Sequence, residues 1–118
     1  MDYNTIYGQV PSKPNCYKII SFNGHASLAK SKGLRDYEDN FFLQCRIRDE
    51  MIEGLFELDI DIYCNSMRHD LDNTLKIILD CLQKVKAIKN DNKCIKIVAR
   101  KFIDKVNPRI EFKLIKNE

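Results

Sequence analysis

No C-x-x-C pair occurs among the five cysteines, Cys16, Cys45, Cys64, Cys81 and Cys94, and their number is odd. Widely spaced thiols of this kind build neither a zinc site nor the disulfide framework of a small secreted domain. Reduced cysteines in a cytoplasmic protein are therefore expected. No apolar run approaches the length that spans a bilayer, so no membrane partner is expected. The first residues mix Asp2, Asn4 and Gln9 with apolar side chains, which is not the pattern of a signal peptide. Strong net charge is absent too, since 20 Lys and Arg against 17 Asp and Glu leave only +3.

What charge there is lies unevenly. Residues 1–59 hold 7 basic and 9 acidic side chains, a balance of −2, while residues 60–118 hold 13 and 8, a balance of +5. The second half thus offers a surface that suits a polyanion, more so where a divalent ion neutralises some of its acids. With 118 residues, 44% hydrophobic and 31% charged, the chain forms one soluble globular domain that buries about two-thirds of its unfolded surface.

The most informative stretch is residues 69–91. Asp70 and Asp72 flank Leu71, so in an extended or turning backbone their carboxylates point to one side. Two carboxylates held so close repel each other unless a cation lies between them. Mg2+ accepts one or two protein carboxylates and keeps phosphate oxygens among its other ligands. Lys76 follows Asp72 by one helical turn, and a lysine beside a metal makes a phosphate site. Leu71, Leu75, Ile78, Leu79, Leu82 and Val85 recur at three- and four-residue spacing, which predicts a helix starting here. Its N-terminus also favours anions.

Taken alone, an Asp-rich stretch ahead of a helix is in the first place a cap with favourable first-turn charge. An EF-hand is a second rival, but Thr74 stands in a ligand slot, Leu75 replaces the required glycine and Cys81 occupies the twelfth position. The calcium loop fails.

The run from Asp70 through Asp72, Asn73, Lys76, Asp80 and Leu82 to Asp91 resembles the D-x-D-N-x-x-K-x-x-x-D-x-L…D motif of the RusA family of Holliday junction resolvases. Gly8 with Pro11, Ser12, Lys13 and Asn15 is similar to the family's opening, and Lys101 with Pro108-Arg109-Ile110-Glu111 to its closing strands. The resemblance implies a homodimeric crossover junction endodeoxyribonuclease that uses Mg2+, with Mn2+ as a substitute, to make paired cuts in four-way junction DNA during recombination and repair. It further implies that Asp70, Asp72 and Asp91 bind the metal and that Lys76 is the catalytic lysine. One departure is Asn90, where other members often carry a first acidic residue before Asp91.

In chain order, Thr5–Val10 and Tyr17–Phe22 read as strands separated by a proline-containing connection. Residues 23–35 have loop composition, in which Lys30, Lys32 and Arg35 are candidate phosphate contacts along with Lys13. From Asp36 the pattern becomes helical, with acids in the first turn and Gly54 as its end. Leu55–Cys64 alternates as a half-buried strand, and Asp59 and Asp61 fall on its solvent face. Arg68 and His69 flank the acidic pair as candidate substrate contacts, with the histidine peripheral to the chemistry. The closing strands span 94–102 and 109–115, and Lys101 on the first is a candidate contact to the DNA backbone.

The expected architecture is mixed α/β of order ββ-α-β-α-ββ, a mixed sheet of four to five strands packed with two helices. A predicted helix of roughly 14 residues separates Asp91 from the first two acids by about 20 Å. Asp91 must therefore return along a strand to meet them. Two rival functions share these residues. One is a nuclease of the same fold acting on other branched DNA, and the other is a nucleic-acid-binding domain in which the aspartates only cap a helix.

Overall fold

The computed structural model describes residues 3–117. Its elements run β1 (Asn4–Tyr7), β2 (Tyr17–Phe22), β3 (His25–Lys30), α1 (Lys32–Gln44), β4 (Phe56–Cys64), α2 (Leu71–Lys84), β5 (Cys94–Ile103) and β6 (Arg109–Lys116). Four strands form a mixed sheet in the order β1-β6-β4-β5, and β2 and β3 form a separate hairpin. The fold is thus the expected α+β one with two helices.

Central β4 sets the layers. Phe56, Leu58, Ile60, Ile62 and Cys64 are buried in strict alternation, and on β6 Ile110, Phe112 and Leu114 do the same. These residues meet Leu34, Tyr37 and Phe41 of α1 and Ile77, Ile78, Cys81 and Leu82 of α2 in one core. The Phe41 ring stacks on Phe112 at 6.2 Å between centroids, which seats α1 on β6. Both helices cover one face of the sheet, and the other carries charged side chains together with a Tyr63–Phe102 stack. There Arg100 bonds Asp59 at 2.7 Å and Asp61 at 2.6 Å, so that aspartate pair is satisfied as a strand-face ion pair.

β4, α2 and β5 form a parallel crossover, in which Phe56 pairs with Cys94 at one end and Cys64 with Ile103 at the other. α2 therefore starts beyond the C-terminal end of β4 and delivers the chain back to the start of β5. This path decides where the acids go.

Residues 23–35 depart from the loop expectation. Asn23 and Gly24, with φ of 51° and 78°, form a two-residue turn that closes β2 on β3. Two consecutive positive φ values are what a tight hairpin turn matching the strand twist demands, and Asn-Gly is the dipeptide that supplies them. Helix α1 likewise starts before Asp36. Ser31 is its N-cap, its hydroxyl accepting from the Leu34 N–H at 3.1 Å, and no acid lies in the first turn. The helix ends at Gln44, ten residues before Gly54.

Candidate active site

The β4–α2 connection is held by its neighbours as well as by bonds of its own. Asn65 N–H donates to Gln9 Oε1 at 2.8 Å, and Asn65 Oδ1 lies 3.1 Å from His69 Nε2. Lys101 Nζ donates to the His69 carbonyl at 2.8 Å and lies 3.5 Å from that of Met67. Two separate segments, at Gln9 and on β5, thus brace the six residues that lead into α2, with one bond of the connection's own between Asn65 and His69.

Asp70 occupies the N-cap position with extended backbone, and its carbonyl takes the first helical bond from Thr74 N–H at 3.1 Å. Its carboxylate makes no capping bond. The helix so forgoes about 1 kcal/mol that a capping side chain typically supplies. Among the described residues, Asp72 accepts only from the N–H of the next residue, Asn73, at 2.9 Å. Lys76 is exposed one turn later, and among the described residues none of these three groups forms an ion pair. The capping role that the sequence allows is therefore not the one that the Asp70 carboxylate fills. Two carboxylates and an ammonium without ion-pair partners at a helix N-terminus are a donor set that fits a hard divalent ion with a phosphate beside it.

Asp91 lies elsewhere. It opens a 3-10 turn, Asp91–Lys93, just before β5, and its N–H donates to Gln83 Oε1 at 3.1 Å. The Asx turn that an acid here could form is made instead by Asn90, whose Oδ1 accepts from Asn92 N–H at 3.1 Å. The neighbour that departs from the family pattern thus does the local structural work and leaves the Asp91 carboxylate unused. Asp91 also acts on Asp80. Partial burial raises the Asp80 pKa, Lys76 pulls it down and Asp91 adds to the rise.

Gln83 follows Asp72 by eleven residues and Asp70 by thirteen, so Asp91 sits about 16–20 Å along the helix axis from the first acidic pair. Among the described residues no three acidic, histidine or cysteine side chains gather into one group. Returning along a strand does not reunite the three acids within a single chain, because β5 starts at the far end of the crossover.

The other candidate contacts are distributed as follows. Lys30 ends β3 and bonds Glu38 at 2.8 Å, while Lys32 starts α1 and bonds Asp36 at 2.9 Å. Both therefore sit in regular structure with carboxylate partners. Arg35 and Arg68 are exposed, and His69 is half-buried. Lys101 holds the loop rather than facing solvent freely. The side chain of Lys13 lies outside the described residues. Sequence reasoning missed Glu38, a side chain only 6% exposed that binds Lys30 and also Lys84 at 3.1 Å. Its place among surface acids in the sequence gave no signal of burial.

The five cysteines are free, and burial pushes the Cys81 thiol up to about 12, which makes it unreactive. No helix among the described residues is long and apolar enough to cross a membrane.

A protein-family model matches residues 18–115, nearly the whole chain, and what it describes is an endodeoxyribonuclease. The family is RusA, and the chain belongs to it. The match starts after Gly8 and Pro11–Asn15, so those residues lie outside it. A comparison with individual curated proteins gives no match.

Proposed function

We propose that the chain is a Holliday junction resolvase, an Mg2+-dependent endonuclease that makes paired cuts in opposing strands of four-way DNA during recombination and repair, and that it works as a homodimer. The observation that carries this is that the Asp70 and Asp72 carboxylates, with Lys76 one turn on at the start of α2, form no ion pair among the described residues, in a chain of the RusA family. In this reading Asp70 and Asp72 hold the ion, Lys76 offsets charge on the phosphate oxygens, and the helix N-terminus adds to that field. A divalent ion bound there supplies Lewis acidity and a nucleophilic water at neutral pH.

The separation of Asp91 from Asp70 supports the dimer. A third carboxylate about 16–20 Å away along the helix can join the first two only when it comes from a second copy. β5 offers the surface for that copy. It is an edge strand, it begins three residues after Asp91, and it exposes Ile95, Ile97, Val98, Phe102 and Ile103. A long apolar edge left open to water invites pairing. Twofold symmetry also matches the approximate symmetry of a junction cut in two opposing strands.

Mixing two dead variants tests the arrangement. Asp72→Asn and Asp91→Asn are each expected to cut a synthetic four-way junction about a hundredfold or more slowly in Mg2+. Binding should be retained or tighter, because acidic repulsion of DNA falls. After subunit exchange the mixture should regain nicking, since one site of each mixed dimer then has Asp70, Asp72 and Asp91 intact. Sites contained within one chain would stay dead on mixing. A preference for forks or flaps over four-way junctions would favour the branched-DNA alternative.

A further inference from the structure

Between α2 and the base of the hairpin runs a groove of about 460 Å3. Its α2 wall carries Asn73, Lys76, Asp80 and Gln83, and Tyr17 stands on the opposite wall above a floor that includes Leu34 and Ile77. In the hairpin register Tyr17 pairs with Lys30 and Ile19 with Leu28, so all four share one face. That face runs out from the groove as apolar surface, with Tyr17 51%, Ile19 76% and Leu28 71% exposed. Lys30 and Lys84, which also line the groove, are both paired with Glu38, and the exposed apolar face beyond them suits the flat face of a nucleobase better than a phosphate.

The α2 wall completes the fit. Asn73 and Asp80 offer a donor and acceptors, and Gln83, with its Oε1 taken by the Asp91 N–H, retains its Nε2 donor. Base edges are read by such a row, and the ammonium of Lys76 suits the phosphate attached to the base. Asp80 lies two turns, about 12 Å, from Asp72 along one helix, within reach of the same DNA strand. A paired base in a duplex cannot enter, but one near a branch point leaves its stack at the lowest cost.

We infer that this groove seats one unpaired nucleobase of the bound DNA, stacked on Tyr17 with its edge read by Asp80 and Gln83. The inference rests on the proposed branched-DNA nuclease and deepens it, because it makes the groove a specificity subsite beside the catalytic acids.

The test uses the full chain and four-way junctions carrying one 5-iodouracil at successive positions around the crossover, irradiated without divalent ion. An adduct on Tyr17 is expected at one or two positions only. Tyr17→Phe should keep it, while Tyr17→Ala should reduce it by about tenfold at equal amounts of bound junction. In Mg2+, Tyr17→Ala and Gln83→Ala should narrow the spread of cutting rates among junctions of different crossover sequence by about tenfold.

Adducts that are scattered, or unchanged by Tyr17→Ala, overturn the subsite. So does a Tyr17 that crosslinks only to a second copy of the protein. Wild-type protein that cuts junctions without a Tyr17 adduct keeps the nuclease and loses the subsite. A Tyr17 adduct without any cutting does the reverse.

Discussion

The ammonium of Lys101 faces the carbonyls of Met67 and His69, on the loop that leads into Asp70 and Asp72. Its position on a basic strand invites assignment as a phosphate contact, yet its hydrogen bonds make it a positioning residue. Lys101→Met leaves two carbonyls without their donor and loosens the acids one residue further on. Junction cutting is expected to fall by about tenfold while the slope of log affinity against log salt stays put. A direct phosphate contact would instead lower that slope by about 1. A salt series with the variant separates the two roles. The acids themselves show what a sequence can and cannot carry. The spacing of Asp70, Asp72 and Lys76 is local, and a helix turns it directly into proximity. Whether Asp91 meets them depends on which end of a crossover it falls, and neighbouring residues do not encode that. Nor did the sequence distinguish Asn90 from Asp91 as the residue that closes the turn.

Helix α1 and the hairpin are joined through Glu38. Its carboxylate lies between Lys30 of β3 and Lys84 at the end of α2, so three elements meet at one buried charge. Burial pushes the Glu38 pKa up, but hydrogen bonds and charge from the two lysines outweigh it, and the net shift is downward. A carboxylate with a depressed folded pKa stabilises the fold above its unfolded pKa of about 4.3. That contribution disappears as pH falls through the folded value. Glu38→Gln is therefore expected to lose about 1–3 kcal/mol at pH 7 in urea unfolding. The gap to wild type should close as the pH is taken below about 4. Elements with one strong period were legible in the sequence. Alternation identified β4, and three- and four-residue spacing identified α2. The hairpin was missed because β3 carries small and polar residues, and its signal lay in the Asn23-Gly24 turn. The start of α1 was missed because Lys32, Gly33 and Arg35 break its apolar pattern, while Ser31 had already capped it.

Across the whole molecule the sheet has two edge strands, the short β1 and the long β5. Ile95 is half exposed there, so replacing it removes little core. Ile95→Asp is expected to leave unfolding of the single chain unchanged within about 1 kcal/mol. In sedimentation velocity the variant should run as a monomer, and junction cutting should be lost with it. A variant that stays dimeric and active would place the interface elsewhere. The composition of β5, rich in Ile and Val but mixed with Lys96, Arg100 and Lys101, identifies a strand without saying that both of its faces remain wet. Exposure of that kind follows from strand order, which no single strand's residues specify.

Asp70 and Asp72 stand at the start of α2 and Asp91 beyond its end, so in the proposed dimer one chain by itself owns parts of two pockets and the whole of neither. On dilution below the dimer's dissociation constant, cutting per chain should fall in proportion to concentration rather than hold steady. A newly made and scarce copy would then be harmless to the DNA around it, and the power to cut would arrive only with abundance.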